Sequence, residues 1–499
     1  MEKRLRPPGE GLESIQAVLA RLAPSRTPAP EGLPEPVPHW DSLALLTPAA
    51  RVAQLRRYLR GSLPLAASPR SNRERILEPL PQVFATATEL LDQPVSGDPR
   101  QAAALPIGLL GALYDLVLSA IRHCCQRESD PSLLAVYLEA ALCTVSQLLR
   151  CYWLCRLAVP ERCWNELHAL YQLACASGID NPQTGGGPGA GQTVRLAYLQ
   201  PLLMGSLGPT RYRGAEIKQI AAFVERHAHR ARLNAEDGLL LVDPNSSRPP
   251  GYCGQVERDG CWRLCVRGLV QALDEESAGA PQLVPRLARD LGRSWTRRRM
   301  RGELHRRTDQ WVELAIGLEA AHRLLTGWGD DDSFTDHLAP SEPGAALPAG
   351  RRLHARCIDR SAAGARFRVQ GTADRISPGA LIAAIADGEA RLGVVRWTQL
   401  TPEFDTTAGV QWLPADAAPS AVRRLDSPQP MPFLRAFLLP AAGAGHPELV
   451  VPAGMFRPAD RLETLTATAS SVLSLTAAVD LTFHITRFAA RPWPSPGGD

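Results

Sequence analysis

A short polar turn and an arginine-rich run are the parts of this chain whose residue types and spacing can do chemistry. The turn is Asp359-x-Ser361-x-x-Gly364, and nine arginines lie upstream of it within residues 286–307. A guanidinium can hold phosphate oxygens through two parallel hydrogen bonds, whereas an ionised carboxylate accepts hydrogen bonds from N–H groups. Glycine lets the backbone turn and approach a ligand closely because it has no Cβ. These residue types could hold a phosphate-bearing molecule, although Asp, Ser and Gly are also common in turns that bind nothing.

Alternating segments on both sides of the turn predict the strands that position it. An upstream strand is predicted from the alternation at 311–318. The segment 356–369 contains the turn and the two strands that it joins. Further strands are predicted at 376–382, 391–397 and 408–413.

This order of strands, turn and upstream arginines resembles the PilZ family, a small β-barrel that binds cyclic di-GMP, over roughly residues 293–415. In that family two arginines spaced R-x-x-x-R, on a flexible segment before the first barrel strand, bind the nucleotide. The resemblance therefore implies that Arg297 and Arg301 are ligand-binding, with Arg293 giving an overlapping match four residues earlier.

The same resemblance gives the turn residues their roles in binding. Asp359 is expected to accept hydrogen bonds from the N1 and N2 edge of a guanine, and Ser361 to contact a phosphate or cap the turn. Gly364 is expected to allow close approach of the backbone. A second R-x-x-x-R pair, Arg352 and Arg356, falls within the strand before the turn, so both are interpreted as barrel residues.

Composition limits the other functional classes. The apolar content of 45% is that of a globular protein, and the net charge of +4 gives no global preference for nucleic acid. The glycine-rich segment 182–192 imitates a phosphate loop, but Gln192 stands where the loop's lysine belongs and a helix precedes it. The cysteines lack the paired spacing of a zinc site. Neither a catalytic motif nor a cofactor site is predicted, so the protein is expected not to be an enzyme.

Membrane insertion is not expected either. The N-terminus lacks the apolar core of a signal peptide, and the apolar stretch 104–121 contains proline, two glycines and Asp115, which favours a buried helix. A cytoplasmic protein without a membrane span is predicted.

The fold class predicted is an α+β multidomain protein in four parts. Residues 1–45 are expected to be a disordered, proline-rich lead-in, and 46–285 a helical domain. Residues 286–415 would hold the arginine-rich segment and the PilZ-like antiparallel barrel, with an insertion at 327–350. Residues 416–499 would form a β-rich extension.

The function these expectations favour is a non-enzymatic cyclic di-GMP receptor, whose barrel binds the nucleotide and whose helical domain binds an unknown protein partner. Two alternatives stay open. One is a PilZ-like scaffold that binds proteins without nucleotide, and the other is a nucleic-acid-associated adaptor that uses the arginines. Nucleic-acid binding is the less favoured, because Trp295 is the arginine run's single aromatic residue and base stacking needs several.

Overall fold

The protein is described by a computed structural model that divides into two compact units. Unit 1 comprises residues 1–209 and 214–299, and unit 2 comprises residues 300–499 with 210–213. The residues whose structure is described are 15–22, 38, 40–92, 99–127, 130–180, 190–252, 260–278, 283–297, 306–326, 353–371, 376–386, 389–401, 403–427, 431–441 and 446–493.

Unit 1 is mainly helical. Its helices are α1 (Ile15–Arg21), α2 (Trp40–Leu43), α3 (Pro48–Gly61), α4 (Arg73–Leu77), α5 (Leu80–Asp92), α6 (Pro99–Gln126), α7 (Pro131–Leu154), α8 (Glu161–Ala176), α9 (Ala190–Ser206), α10 (Gly214–His227), α11 (Arg267–Ala278) and α12 (Pro285–Thr296). A small antiparallel sheet of four strands, β1 (Arg232–Leu233), β2 (Leu240–Val242), β3 (Gly251–Tyr252) and β4 (Trp262–Cys265), lies between α10 and α11 in the sequence, and its spatial order is β1-β4-β2-β3.

The core of unit 1 is built around α6 and α7, which pack against each other. Leu113, Val117 and Leu138 are fully buried, as expected for helices that are apolar on most of their surface. Both helices are long and apolar enough to cross a membrane, but most of each apolar stretch is buried inside the unit. Helices that form the core of a globular unit have the same length and composition.

Two segments of unit 1 differ from the sequence-based expectation. Residues 15–22 lie in the predicted disordered lead-in, yet they form α1 and pack on α8, because Val18 and Leu22 are buried there. The rest of the lead-in, apart from residues 38 and 40–45, is outside the described part of the chain. Residues 285–296, expected to be a flexible arginine segment, form α12, because Leu287, Leu291 and Trp295 recur at four-residue spacing and are fully buried.

Unit 2 contains two closed antiparallel barrels, each of six strands. Barrel 1 comprises β5 (Arg306–Ile316), β6 (Leu353–Arg360), β7 (Gly364–Val369), β8 (Leu381–Ala386), β9 (Glu389–Leu400) and β10 (Thr406–Trp412), in the order β10-β7-β6-β5-β8-β9. Barrel 2 comprises β11 (Ala418–Arg424), β12 (Leu434–Leu439), β13 (Glu448–Pro452), β14 (Arg461–Thr466), β15 (Ser470–Leu481) and β16 (Ile485–Pro492), in the order β11-β12-β13-β16-β15-β14. Helix α13 (Leu318–Thr326) follows β5.

The predicted α+β multidomain class is therefore confirmed, with a helical N-terminal region followed by an antiparallel barrel. The predicted β-rich extension is itself a closed barrel. The predicted insertion, 327–350, lies outside the described residues. Strand β5 begins at Arg306, five residues earlier than the alternation predicted.

Two glycine–tryptophan pairs close barrel 1 between β9 and β10. Gly409 lies opposite Trp397, and Gly393 lies opposite Trp412, in the strand register. A Cβ at Gly409 would lie 2.0 Å from Trp397 Nε1, and one at Gly393 would lie 2.8 Å from Trp412 Cε3. Each tryptophan ring thus covers the backbone of the opposite glycine, which allows the strong curvature that a small barrel needs.

A second apolar core lies between the two barrels and α13. Barrel 1 contributes Leu381 and Leu392, α13 contributes Leu324, and barrel 2 contributes Phe437 and Val450. Strand β8 is consequently apolar on both faces, since one face lines barrel 1 and the other packs against barrel 2. This arrangement explains the uninterrupted apolar sequence of that strand.

The buried His168 predicts an acid-sensitive unit 1. Its Nδ1 lies 2.8 Å from Tyr198 Oη, and burial lowers its pKa from an ordinary 6.5 to about 4. The neutral ring is favoured in the folded state, so the unfolded chain takes up a proton first as the pH falls. The contribution of the neutral His168 to the free energy of unfolding is fully present above pH 6.5. The free energy of unfolding is expected to drop by up to about 3 kcal/mol as the pH approaches 4. Urea unfolding across this range measures the loss, and a His168→Gln variant with an unchanged slope would contradict its assignment to His168.

Candidate functional site

The Asp359–Gly364 turn joins β6 to β7 in barrel 1. The Ser361 N–H donates to the Gly364 carbonyl at 2.7 Å, which closes the hairpin. A Cβ at Gly364 would lie 2.4 Å from the carbonyl oxygen of Val410 on β10. No other residue leaves room for this contact, so the glycine has a structural role apart from any ligand.

Replacing this glycine is expected to destabilise barrel 1. The Gly364→Ala methyl group would overlap the Val410 carbonyl, and overpacking of this kind costs about 1–3 kcal/mol. Thermal unfolding followed by circular dichroism measures the effect. Ala363→Ser, a change at an exposed side chain of the same turn, is the control and should unfold as the wild type does. Equal unfolding temperatures for the two variants would contradict the structural role.

Asp359 is engaged within the barrel. Its carboxylate forms an ion pair with Arg366 on β7, with Asp359 Oδ2 2.7 Å from Arg366 Nη2. The Asp359 side chain is 15% exposed. A guanine edge at this carboxylate would therefore share it with Arg366 or displace that guanidinium. Ser361, by contrast, lines a cavity of barrel 1.

Two of the three predicted upstream arginines lie in unit 1. Arg293 is in the last turn of α12, and Arg297 is the residue that ends this helix, both exposed in unit 1. Arg301 falls outside the described residues. Their approach to the Asp359 turn in unit 2 stays a prediction.

The cavity beside the turn, here called the barrel cavity, has a volume of about 650 Å³. Its apolar wall includes Phe367 and Trp412, whose rings meet edge to face at 5.9 Å. Its polar lining comprises Arg306, Gln310, Arg360, Ser361, Glu389 and Arg391. A cavity of this size with an apolar wall and a few convergent polar groups has the composition of a ligand site.

Three strands each contribute one arginine to the barrel cavity. Arg306 comes from β5, Arg360 from β6 and Arg391 from β9, and all three side chains are exposed. None of them has a carboxylate partner among the residues that the structure describes. Other arginines of the same barrel do: Arg356 pairs with Asp309, and Arg368 with Asp405.

The register makes this arrangement electrostatically unfavourable without an anion. Arg306 and Arg360 are directly opposite each other in the β5–β6 pair. Like charges at directly opposed positions destabilise a sheet, and no carboxylate of the described residues is paired with either arginine. Of the described residues that line the cavity, Glu389 is the one that is acidic. A bound phosphate would relieve the repulsion by accepting hydrogen bonds from both guanidinium groups.

The cavity's thiol adds no charge. Burial raises the pKa of Cys357, whose side chain lies in the wall, so the thiol is neutral near pH 7. Among the described residues there is no group of His, Cys, Asp and Glu that could hold a metal ion. The geometry suits binding of a ligand with several phosphate oxygens and at least one flat ring, which Trp412 and Phe367 could contact.

None of these three arginines was predicted from the sequence to be a site residue. Arg306 belongs to the arginine run and Arg360 to the turn motif, so both stood inside the predicted segments. Arg391 opens a segment that was predicted only as a strand. Their convergence depends on the register of β5, β6 and β9, which a single sequence does not reveal.

Comparison with known proteins connects the helical region with a nucleotide receptor. Residues 39–237 match the family model described as the cyclic-di-GMP receptor FimW, N-terminal domain. The match covers less than half of the chain, lies in unit 1 except for residues 210–213, and includes neither barrel. Neither the curated proteins nor the solved structures contain a match to this chain. The family match supports a cyclic di-GMP receptor and leaves the PilZ resemblance as a prediction.

Proposed function

We propose that this protein is a non-enzymatic cyclic di-GMP receptor in which barrel 1, a PilZ-like barrel, binds the nucleotide. The observation that supports this most is the convergence of Arg306, Arg360 and Arg391 on one cavity, without carboxylate partners in the described structure. The similarity of residues 39–237 to the N-terminal domain of a cyclic di-GMP receptor agrees with the proposal independently.

The ligand's chemistry matches the cavity. Cyclic di-GMP carries two phosphates, which can accept forked hydrogen bonds from arginines, and two guanines with flat rings. Glu389 can accept from the N1 and N2 edge of a guanine, a role that is open to it because its side chain is exposed at the cavity. An arginine can alternatively hold guanine O6 and N7.

Arg297 and Arg301 complete the proposal as a clamp that reaches the nucleotide from the segment between the units. The segment follows α12, where Arg293 and Arg297 are exposed to solvent. A ligand that joins this segment to barrel 1 would change how the helical unit presents its surface to a protein partner. The size of that change is limited by the difference in affinity between the two arrangements. We place the receptor in the cytoplasm, without a membrane span.

One observation favours a second candidate, a barrel that binds proteins without nucleotide. Asp359 is paired with Arg366, and Gly364 is needed for its contact with Val410. The turn motif therefore has a structural explanation that requires no ligand. The arginines of the barrel cavity have no such explanation, which is why the nucleotide receptor is preferred.

Hydrogen exchange of the full chain, with and without cyclic di-GMP, distinguishes the candidates. Nucleotide binding should slow exchange at 306–312, 357–366 and 389–393, the segments that contribute to the barrel cavity, and at 293–307 if the clamp closes. Protection that extends into 39–237 would indicate signalling to the helical unit. Protection confined to 39–237 would contradict the barrel site, and no protection anywhere would favour the protein-binding scaffold.

A further inference from the structure

A second cavity lies inside unit 1, between α3, α6, α7 and the first turn of α8. Its volume is about 310 Å³, at the small end of the range for ligand pockets. Its charged and hydroxyl-bearing lining includes Arg56, Arg60, Tyr114, Asp115, Arg162 and Glu166. We call it the helical cavity. All of its lining belongs to one unit, and it is separate from the barrel cavity.

Two glycines in the interior of α6 keep the helical cavity open. A Cβ at Gly111 would meet no heavy atom within 4 Å, and one at Gly108 would meet the Arg56 guanidinium at an ordinary 3.5 Å. Glycine inside a helix is less stable than alanine, because it loses more backbone freedom on folding. Neither glycine is required by close packing. Their effect is to leave the helical cavity unfilled, although alanine at these positions would make α6 more stable.

Two buried hydrogen-bond donors line this space without a partner in the described structure. Tyr114 is 1% exposed, and its hydroxyl oxygen has no hydrogen-bond partner. The Nε of Arg56 is likewise buried and unpartnered. Buried donors of this kind are costly unless something accepts from them. The Arg56 Nε can only donate a hydrogen bond, and the Tyr114 hydroxyl can also donate one, so a single acceptor would satisfy both.

The charges around the cavity favour an anionic acceptor. Arg56 and Arg60 lie one turn apart on α3, and neither has a carboxylate partner within the described ranges. Glu166 is paired with Arg162 at 2.7 Å, and Asp115 is already engaged within the protein. The first turn of α8 also lines the cavity, and its N-cap, Pro160, provides no side-chain cap. The positive end of that helix adds to the excess of guanidinium charge.

We propose that the helical cavity is a binding site for a small oxyanionic group, a phosphoryl or carboxylate carried by a compact molecule. Arg56 and Tyr114 donate to its oxygens, and Arg60 adds a second guanidinium near the opening. Ile107 and Leu148 provide an apolar wall for the rest of the molecule. The helical unit would then respond to a ligand of its own, in addition to the nucleotide proposed for barrel 1.

Titration of the full chain with inorganic phosphate and, separately, with malonate tests this proposal. Ionic strength is held constant with sodium chloride, and binding is followed by calorimetry and by the rise in unfolding temperature. We expect saturable binding of at least one anion. Tyr114→Phe and Arg56→Gln should each weaken it about tenfold or more, because each removes one hydrogen-bond donor to a charged oxygen.

A variant that fills the helical cavity with a larger side chain distinguishes a binding site from a defect in packing. Gly111→Leu extends into open space, so the variant should fold and unfold no earlier than the wild type, yet lose anion binding. Arg57→Gln, an exposed neighbour on α3 that does not line the cavity, is the matched control and should bind normally. Binding of phosphate alone or of malonate alone identifies the head group. Failure of both anions to bind, or normal binding by Gly111→Leu, would overturn the proposal.

Discussion

The full chain carrying Arg360→Ala together with Arg391→Ala is expected to bind cyclic di-GMP at least about thirtyfold more weakly than the wild type. Each guanidinium that makes a good forked contact is worth about 1–3 kcal/mol, so the loss of two amounts to about 2–6 kcal/mol. Folding should be preserved, because both side chains are exposed and removing Arg360 relieves its repulsion with Arg306.

Two other arginines of barrel 1 provide the matched control. Arg356 is paired with Asp309, and Arg396 with Asp480, so both have their charge neutralised within the protein. Neither lines the barrel cavity. The double variant Arg356→Ala, Arg396→Ala removes the same formal charge and should retain nearly all of the affinity. Equal losses in the two double variants would show a nonspecific effect of charge and would contradict the cavity as the site.

Phe437→Ala is expected to lower the free energy of unfolding of unit 2 by about 3–5 kcal/mol. The Phe437 ring is fully buried in the core shared by the two barrels and lies 5.5 Å from the ring of His322 on α13. Its loss leaves a cavity between barrel 2 and the face of β8 that points away from the interior of barrel 1. Both barrels should therefore lose stability together.

Urea unfolding combined with hydrogen exchange measures this coupling. The matched control is Met455→Ala, which changes an exposed apolar residue of unit 2 and should alter stability by roughly 0.5 kcal/mol or less. In Phe437→Ala, amides of barrel 1 such as those of β8 should exchange faster along with those of β12. Faster exchange restricted to barrel 2 would mean that the shared core does not couple the barrels.

Local sequence patterns predicted much of unit 2. Alternating apolar residues gave the strands on both sides of the Asp359 turn, because one face of each strand lines a closed apolar core. The pairs Gly393–Trp412 and Gly409–Trp397 lie in segments that the sequence predicted only as strands. Their physical role, a ring covering an opposed glycine, depends on the β9–β10 register, which the sequence alone does not specify.

The structure of the arginine run differs from what the sequence predicted. Its charge suggested a flexible segment, but Leu287, Leu291 and Trp295 form a buried stripe that makes its first part a helix. Its last two arginines, Arg306 and Arg307, begin strand β5. A charge-based interpretation missed the apolar period within the run, and the meeting of Arg306 with Arg360 and Arg391 required the three-dimensional pairing of distant strands.

Calorimetric titration of the full chain with cyclic di-GMP, at near-physiological salt, tests the central claim most directly. We expect saturable binding with a dissociation constant in the micromolar range or tighter, about −8 kcal/mol. Binding should be weakened in the Arg360→Ala, Arg391→Ala variant and unchanged in Gly111→Leu. No heat in the wild type at millimolar nucleotide would contradict the receptor, and binding that is lost in Gly111→Leu but retained in the arginine variant would contradict the barrel cavity as its site.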